Sequence, residues 1–412
     1  MKQNPKKWFN LFVLFLGMGS IYKLAYLSDI FYVPMQETFG INNTQIGFLL
    51  SIYAMTQTLA YAVSTYVSDR VPTRVLISSS LIITGLAGFY FATMPDWTAM
   101  IVLWAIWGAF CEGMYWPSVA KAIRGLGPKE EQGRLFGIFS GGRGVVDTIV
   151  ALTGTYIAFS LDLGIKGAII FFSIMDIAAG LVALFFLPKL AAAEKEITEK
   201  VTMAKTLKVL RMPEVWLVTF VIFFAYICNS ATTYFNPYLH NVFEVSNATA
   251  AIYGIIIAYG LKIAGGPMAG FFIDLKIKSV TKYLRIAFMV VVIFFFLLIL
   301  TPASPVFRIV AIIIPLIISL MILSMRGTYT ATIDEVNIPA EVTGAAVSIA
   351  SLIGYLPTMF ANYMFGSILD SNPGVLGYRI VFGLTMGAAI MGFVVASMLI
   401  KKINKNKLAS AL

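Results

Sequence analysis

The stretch NNTQIGFLLSIYAMTQTLAYAVSTYVSDRVPTRVLI, residues 42–77, decides the fold because the chain carries its pattern twice. The second copy is SNATAAIYGIIIAYGLKIAGGPMAGFFIDLKIKSVTKYLRI, residues 246–286, and it has Asp274 where the first copy has Asp69. Each copy runs from a polar start through a long apolar segment to a basic end. An apolar run of about 20 residues crosses a bilayer as a helix, because each residue adds about 1.5 Å of rise. The repeat therefore predicts two similar halves built of membrane helices.

The composition supports a membrane protein, since 59% of the 412 residues are hydrophobic and only 12% are charged. Helices are expected because a lone segment in lipid must satisfy its own backbone groups. A sliding hydropathy window predicts about twelve spans. They are approximately 8–33, 45–68, 74–94, 99–123, 133–159, 165–188, 214–239, 249–273, 283–301, 307–331, 343–368 and 378–400. The predicted fold class is an all-α polytopic membrane protein with two six-helix halves.

The segment between the sixth and seventh spans is charged and helix-prone. We interpret residues 189–213 as a cytoplasmic linker, residues 1–188 as the N-terminal six-helix half and residues 214–412 as the C-terminal half.

Basic residues define the predicted orientation. With the N-terminus in the cytoplasm, the outer loops contain only Lys166, Arg308 and Arg379, and the remaining loop and tail lysines and arginines fall inside. This distribution obeys the positive-inside rule and predicts a multi-pass protein of the plasma (inner) membrane with both termini cytoplasmic. The topology also accounts for the net charge of +10, so nucleic acid is not expected as a partner.

The loop VSDRVPTR, residues 67–74, resembles the motif G-x-x-x-D-R-x-G-R-R/K of the major facilitator superfamily. The resemblance implies a charge latch in which Asp69 holds Arg70 or Arg74 and the helix termini of the neighbouring half while the outward-open state is populated. Asp274, in the second copy, is assigned to the same gating set. The alternative is a solvated turn whose arginines serve only the positive-inside rule.

A narrower resemblance lies in GMYWPSVAKAIRGLGPKEEQGRLFGIFSGGRG, residues 113–144, and in IGYLPTMFANYMFGSILD, residues 353–370. Both stretches are similar to the organophosphate:phosphate antiporter branch and its related organic-anion symporters. At the positions of that branch's anion-binding arginines, in the first and seventh helices, this chain has Tyr26 and Asn229. Arg143 stands at the position of its fifth-helix histidine. The resemblance therefore implies an anionic substrate that contacts these three residues.

Three cations lie near the centres of their spans: Lys23, Arg143 and Lys262. A charge at that depth costs about 2.5–3.5 kcal/mol, so each needs a partner or a function. Arginine grips carboxylate, phosphate or sulfonate with two donors, and lysine adds a point charge, so the set predicts an anion site. The alternative is internal pairing, of Arg143 with Asp147 at i,i+4 and of Lys23 with Asp29 or Glu112.

The acids at membrane depth are candidates for proton coupling. Glu112 is the first candidate, Asp29 the second, and Asp147 is included because it tunes Arg143. A permanent ion pair of Glu112 with Lys23 or Arg143 is the alternative. Arg326, near the cytoplasmic end of the tenth span, is assigned to gating.

These features predict a secondary active transporter of a small organic anion, coupled to protons or a counter-anion and acting as a monomer in the bilayer. The alternatives are a drug or cation/proton antiporter and a non-transporting, transporter-like sensor. An enzyme is not expected, because His240 is the only histidine and no nucleophile–base spacing is present. Cys111 and Cys228 both lie in predicted spans, and no metal site or cofactor is expected.

Overall fold

The computed structural model describes residues 5–68, 70–128, 131–188, 209–336 and 338–411. Within these ranges the chain is helical between short connections and has no strand. Asp69 and most of the predicted linker, residues 189–208, lie outside the described residues. The described chain forms two compact units. The first contains the helices up to Phe186 together with Ser246–Gly260, and the second contains the remaining helices.

The first unit begins with two helices that share the first predicted span. Its helices are α1 (Pro5–Ser20), α2 (Ser28–Phe39), α3 (Asn43–Ser68), α4 (Thr73–Phe91), α5 (Trp97–Trp107), a π-helix (Gly108–Tyr115), α6 (Trp116–Arg124), α7 (Gln132–Phe159) and α8 (Gly164–Phe186). Two further segments complete the unit, α9 (Asn247–Ile255) and a π-helix (Ile256–Gly260).

The second unit contains most of the C-terminal part of the chain. Its helices are α10 (Pro213–Ala231), α11 (Phe235–Phe243), α12 (Leu261–Phe272), a π-helix (Ile273–Ile277), α13 (Val280–Leu300), α14 (Arg308–Arg326), α15 (Thr332–Glu335), α16 (Ala340–Gly354), α17 (Ala361–Ser371) and α18 (Val375–Ala411). Single 3-10 turns lie at Thr232–Tyr234, Pro305–Phe307, Tyr329–Ala331 and Leu356–Met359.

Eleven helical segments of the described chain are long and apolar enough to cross a membrane. The first predicted span, 8–33, is not among them because α1 ends at Ser20 and α2 begins only at Ser28. The intervening residues form turns, and they include Lys23. The predicted all-α, polytopic fold is confirmed, and the first span is corrected to an interrupted helix. The linker boundaries stay a prediction.

Aromatic side chains fill the interior of each unit. In the first unit, Phe91 packs edge-on against Trp104 and Trp107 with ring centroids 5.2 and 5.6 Å apart. In the second, Phe382 packs against Phe235 and Tyr238 at 5.6 and 5.1 Å. Such rings bury much apolar surface in specific geometries, so each unit has its own packed core.

Candidate functional site

The most buried ion pair among the described residues joins the turn after α1 to the middle of α7. The Nζ atom of Lys23 lies 2.5 Å from Oδ1 of Asp147, and the two side chains are 0% and 1% exposed. The Nε atom of Arg143 lies 3.3 Å from Oδ2 of the same carboxylate. Asp147 is thus shared by two cations, of which Lys23 is the nearer and the more deeply buried.

Small residues bring α1 and α7 close enough for this pair to form. A Cβ atom added to Gly19 would lie 2.4 Å from Cγ1 of Val146 and 3.0 Å from the backbone nitrogen of Asp147. Only a glycine permits this approach. α1 then ends at Ser20, and the following turns direct Lys23 to α7 instead of along the helix axis. The partner that the sequence suggested for Lys23 was Asp29 or Glu112, whereas the structure pairs it with Asp147.

An aromatic ring covers the ammonium group of Lys23. Nζ lies 3.4 Å from the ring centroid of Tyr259, which belongs to the first unit through the π-helix Ile256–Gly260. A cation over an aromatic face is attracted by the ring quadrupole, most strongly where water is excluded. Tyr259 also interacts electrostatically with Asp29, a half-buried residue in the first turn of α2.

Glu112 is joined to this cluster by Tyr22. The hydroxyl of Tyr22 donates a hydrogen bond to Oε2 of Glu112, and the guanidinium of Arg143 lies 5.1 Å from the Tyr22 ring centroid. Glu112 lies in the π-helix Gly108–Tyr115, a wide helical turn of a kind that is frequent at functional sites. Tyr26, half-buried, packs edge-on against Tyr53 with centroids 5.0 Å apart. The first unit therefore gathers the predicted residues Lys23, Tyr26, Asp29, Glu112, Arg143 and Asp147 around one buried carboxylate and its neighbours.

The second unit contains a different polar cluster. The Nη1 atom of Arg326 donates to Oδ1 of Asn229 at 3.0 Å, and its guanidinium lies 5.2 Å from the Tyr226 ring. The Tyr226 hydroxyl lies 3.1 Å from that of Tyr329, which lies 3.0 Å from that of Tyr355. Arg326, predicted as a gating residue, thus contacts Asn229, predicted as a substrate-binding residue. Sequence reasoning missed the three tyrosines, although each lies in a span, where a hydroxyl needs a partner.

Three of the remaining predicted residues are exposed, and Arg74 is half-buried. Lys262 is an exposed residue at the start of α12, and Arg70 is exposed between α3 and α4. Arg74 lines a small cleft of the first unit with Thr73, Ala122 and Leu187. Asp274 is exposed in the π-helix Ile273–Ile277, where Lys278 donates to its carbonyl oxygen.

Asp176 is a buried acid that the sequence analysis did not assign. It lies in α8, 0% exposed, in a segment whose only other charge is Lys166 near the helix start. A lone acid in so apolar a helix is the signal that could have identified it. Among the described residues, no group of three or more His, Cys, Asp or Glu side chains is arranged to hold a metal ion.

Comparisons with known proteins agree with this architecture. Inner membrane protein YihN of Escherichia coli (strain K12) is 39% identical over 98% of this chain and 97% of its own length. A bacterial homolog of the human lysosomal transporter Spinster, solved inward-facing and unoccupied, is similar with a TM-score of 0.77 and 15% identity over 98% of each chain. A D-xylose-proton symporter gives a TM-score of 0.70 at 18% identity over 95% of each chain.

A family model also matches most of the chain. Residues 8–362 match the sequence profile of the Major Facilitator Superfamily. This range is more than half of the chain and includes residues of both units. Together with the helical fold and the apolar spans, this match means that the chain belongs to the major facilitator superfamily and is a membrane transporter, not an enzyme.

Proposed function

We propose that this protein is a secondary transporter of a small organic anion, a carboxylate, phosphate ester or sulfonate, and that Arg143 is its principal substrate contact. One observation carries the proposal. Asp147 already has a buried partner in Lys23 at 2.5 Å, while Arg143 lies farther away, at 3.3 Å, with its side chain 27% exposed. Arg143 is therefore the cation that can exchange its carboxylate for a substrate anion at the smaller cost.

The hydrogen-bonding capacity of Arg143 supports this assignment. A guanidinium has five N–H donors. Of the donors of Arg143, only Nε–H donates to an oxygen atom of a described residue, Oδ2 of Asp147. The remaining donors match the fork geometry of a carboxylate, phosphate or sulfonate group. Tyr22 supports one face of the guanidinium at 5.1 Å and so fixes its orientation.

Tyr26, Asn229 and Lys262 remain proposed as further substrate contacts. Asn229 has the most specific support, because its side-chain oxygen accepts from Arg326 at 3.0 Å and so orients a second guanidinium. Asp69, Arg70, Arg74, Asp274 and Arg326 remain proposed as gating residues. For Arg326 the contact with Asn229 favours a role in substrate binding as well.

Protons or a counter-anion are the proposed coupled species. Glu112, Asp29 and Asp147 are acids at membrane depth, and a carboxyl group whose water access changes during transport can take up and release a proton. One solved structure of this fold is a D-xylose-proton symporter, so the fold is compatible with proton coupling. We further propose that the protein acts as a monomer with both termini cytoplasmic.

A thermal-shift screen of the purified protein tests the anion assignment. The panel contains mono- and dicarboxylates, sugar phosphates, sulfonates, inorganic phosphate and cationic drugs. Because a ligand that binds the folded state raises the unfolding temperature, one anion class should stabilise the wild type. Arg143→Ala should abolish this shift and Arg143→Lys should retain part of it. The matched control Arg379→Ala, an exposed residue near the start of α18, should leave it unchanged.

Three results would contradict the proposal. Stabilisation by cationic drugs alone would favour the drug or cation/proton antiporter. An anion shift that survives Arg143→Ala would show that the anion binds elsewhere. Binding without uptake into proteoliposomes would identify a sensor.

A further inference from the structure

Asp176 is a fully buried carboxyl group in α8 that the proposed anion site does not use. Its side chain is 0% exposed, and neither of its oxygens accepts a hydrogen bond from a described residue. The hydroxyl of Ser20 lies beside it, but donates to the carbonyl oxygen of Gly17 at 3.2 Å. Burying a carboxylate that accepts no hydrogen bonds costs much free energy, whereas burying the neutral carboxylic acid costs far less. The geometry therefore favours the protonated form.

The surroundings of Asp176 come from several elements. Lys23 attracts it from the turn after α1, and Cys111 and Tyr115 interact with it from the π-helix Gly108–Tyr115. α8 also packs against α1, α2, α4 and α7. The charged residues of these four helices are Lys6, Lys7, Asp29, Glu37, Arg74, Arg134, Arg143 and Asp147. Of the charged groups around Asp176, Lys23 is the one that attracts both Asp176 and Asp147.

Charge balance in the first unit points the same way. Lys23 and Arg143 are the two cations of the cluster, and Asp147, Glu112 and the half-buried Asp29 are its three assigned acids. An ionised Asp176 would add a negative charge without a cation of its own. Lys23 cannot neutralise an ionised Asp176 while its Nζ atom is bound to Asp147 at 2.5 Å.

We propose that Asp176 is a proton-binding site and that Lys23 is the switch that releases its proton. In the described state Asp176 holds the proton and Lys23 is paired with Asp147. When Lys23 turns from Asp147 to Asp176, the O–H bond of the acid breaks, the proton passes to water, and a Lys23–Asp176 ion pair forms. The role in coupling rests on the proposed function, but proton binding itself does not.

The same geometry predicts how an anion controls the switch. An anion that draws Arg143 away leaves Lys23 as the cation that neutralises Asp147, so Lys23 stays in place and Asp176 keeps its proton. Without the anion, Arg143 neutralises Asp147 and Lys23 is able to turn. Anion and proton therefore bind together, and by reciprocity each strengthens the binding of the other. This is the linkage that symport requires.

Infrared spectroscopy of the purified full chain in lipid tests proton binding without any substrate. The wild type at neutral pH should show the C=O stretching band of a buried protonated carboxyl group, and Asp176→Asn should lack it. Asp162→Asn, an exposed acid before α8, is the matched control and should retain the band. A band that persists in Asp176→Asn, or its absence from the wild type, would overturn the proposal.

A second variant tests the switch. In Asp147→Asn, Lys23 loses its carboxylate partner and should turn to Asp176, so the band should disappear at neutral pH. A band that survives in this variant would refute the role of Lys23. If Asp147→Asn does not fold, Lys23→Met replaces it, and its band should then persist to higher pH than that of the wild type. A band lost at the wild-type pH would refute the switch.

The linkage is measured with the anion found in the thermal-shift screen. In the wild type, the dissociation constant of the anion should fall about tenfold per pH unit as pH is lowered through the range where Asp176 takes up its proton. In Asp176→Asn this dependence should vanish while binding itself remains. Equal pH dependence in both proteins would overturn the coupling. A failure to bind any anion contradicts the proposed function, and the infrared result then still decides whether Asp176 binds a proton.

Discussion

Lys23 and Asp147 form an ion pair of 2.5 Å in which neither side chain is more than 1% exposed. The pair joins the break between α1 and α2 to the centre of α7. The charged Lys23 therefore lies at the point where the first membrane segment stops being helical. A buried pair of this kind is weak evidence for stability, because desolvation offsets much of the attraction. Its position beside the half-buried Arg143 and a second buried acid, Asp176, favours a role in switching.

The first prediction concerns the free energy of unfolding of variants of Asp147 and Asp176. Asp147→Asn alone should cost little, because Lys23 can pair with Asp176, and Asp176→Asn should be nearly neutral, because it resembles the protonated acid. The double variant leaves Lys23 buried without an acid and should cost about 3–5 kcal/mol. Denaturant unfolding in detergent micelles measures the three values, and simple additivity of the single effects would contradict the shared use of Lys23.

The fold was predictable because it depends on features that the sequence displays directly. Long apolar runs predict the spans, and the copy of residues 42–77 at 246–286 predicts two halves. The break at residues 21–27 was not predicted, because the apolar pattern continues through Ile21, Leu24 and Leu27. A hydropathy window measures composition and carries no information on the backbone conformation. The three π-helices of the described chain were not predicted for the same reason, because a wider helical turn does not change the composition of the segment.

The candidate site was predictable in composition but not in pairing. Charges at membrane depth single out Lys23, Arg143 and Asp147, and the i,i+4 spacing suggests the contact between the last two. The pairing of Lys23 depends on the close approach of α1 to α7. Gly19 permits that approach, but a glycine in the sequence does not by itself predict it. Asp176 shows the complementary limit: its residue type was visible, but its isolation from hydrogen-bond donors is a property of the packed helices.

The second prediction concerns Gly108, which lets the π-helix of Glu112 contact α3. A Cβ atom there would lie 2.3 Å from the carbonyl oxygen of Tyr53, a backbone atom that cannot rotate away. Gly108→Ala should therefore cost about 1–3 kcal/mol of stability through overpacking. Gly141 in α7 has nothing within 4 Å of the same position, so Gly141→Ala is the matched control.

Gly141→Ala should leave stability unchanged or raise it by about 0.5–1 kcal/mol, because alanine loses less backbone entropy in a helix. Thermal unfolding of the two variants beside the wild type provides the comparison. A neutral Gly108→Ala would mean that α3 and the π-helix separate without penalty.

The third prediction concerns Glu335, whose carboxylate caps the start of α13. It accepts hydrogen bonds from the backbone nitrogens of Val280 at 2.5 Å and Thr281 at 3.0 Å, and from the Thr281 hydroxyl at 2.6 Å. These bonds satisfy donors that a helix leaves unpaired, and the negative charge suits the helix N-terminus. Glu335→Ala should cost about 0.5–2 kcal/mol. The adjacent, exposed Asp334→Ala should have no comparable effect, and equal losses would rule out the cap as the cause.

The fourth prediction concerns the pH dependence of Glu131, at the entry to α7. A hydrogen bond from Lys7, reinforced by the charge of that lysine, lowers the pKa of Glu131 from its usual 4.5. A carboxyl whose pKa is depressed by folding contributes stability above its unfolded pKa, and that contribution is lost as the pH falls through the folded pKa. The unfolding temperature of the wild type should therefore exceed that of Glu131→Gln at pH 7, and the two should converge as the pH falls below 4.5. Because Glu131 is in contact with solvent, the difference should be small and should shrink further at high salt. A difference that persists in acid would show that Glu131 stabilises α7 by some means other than its charge.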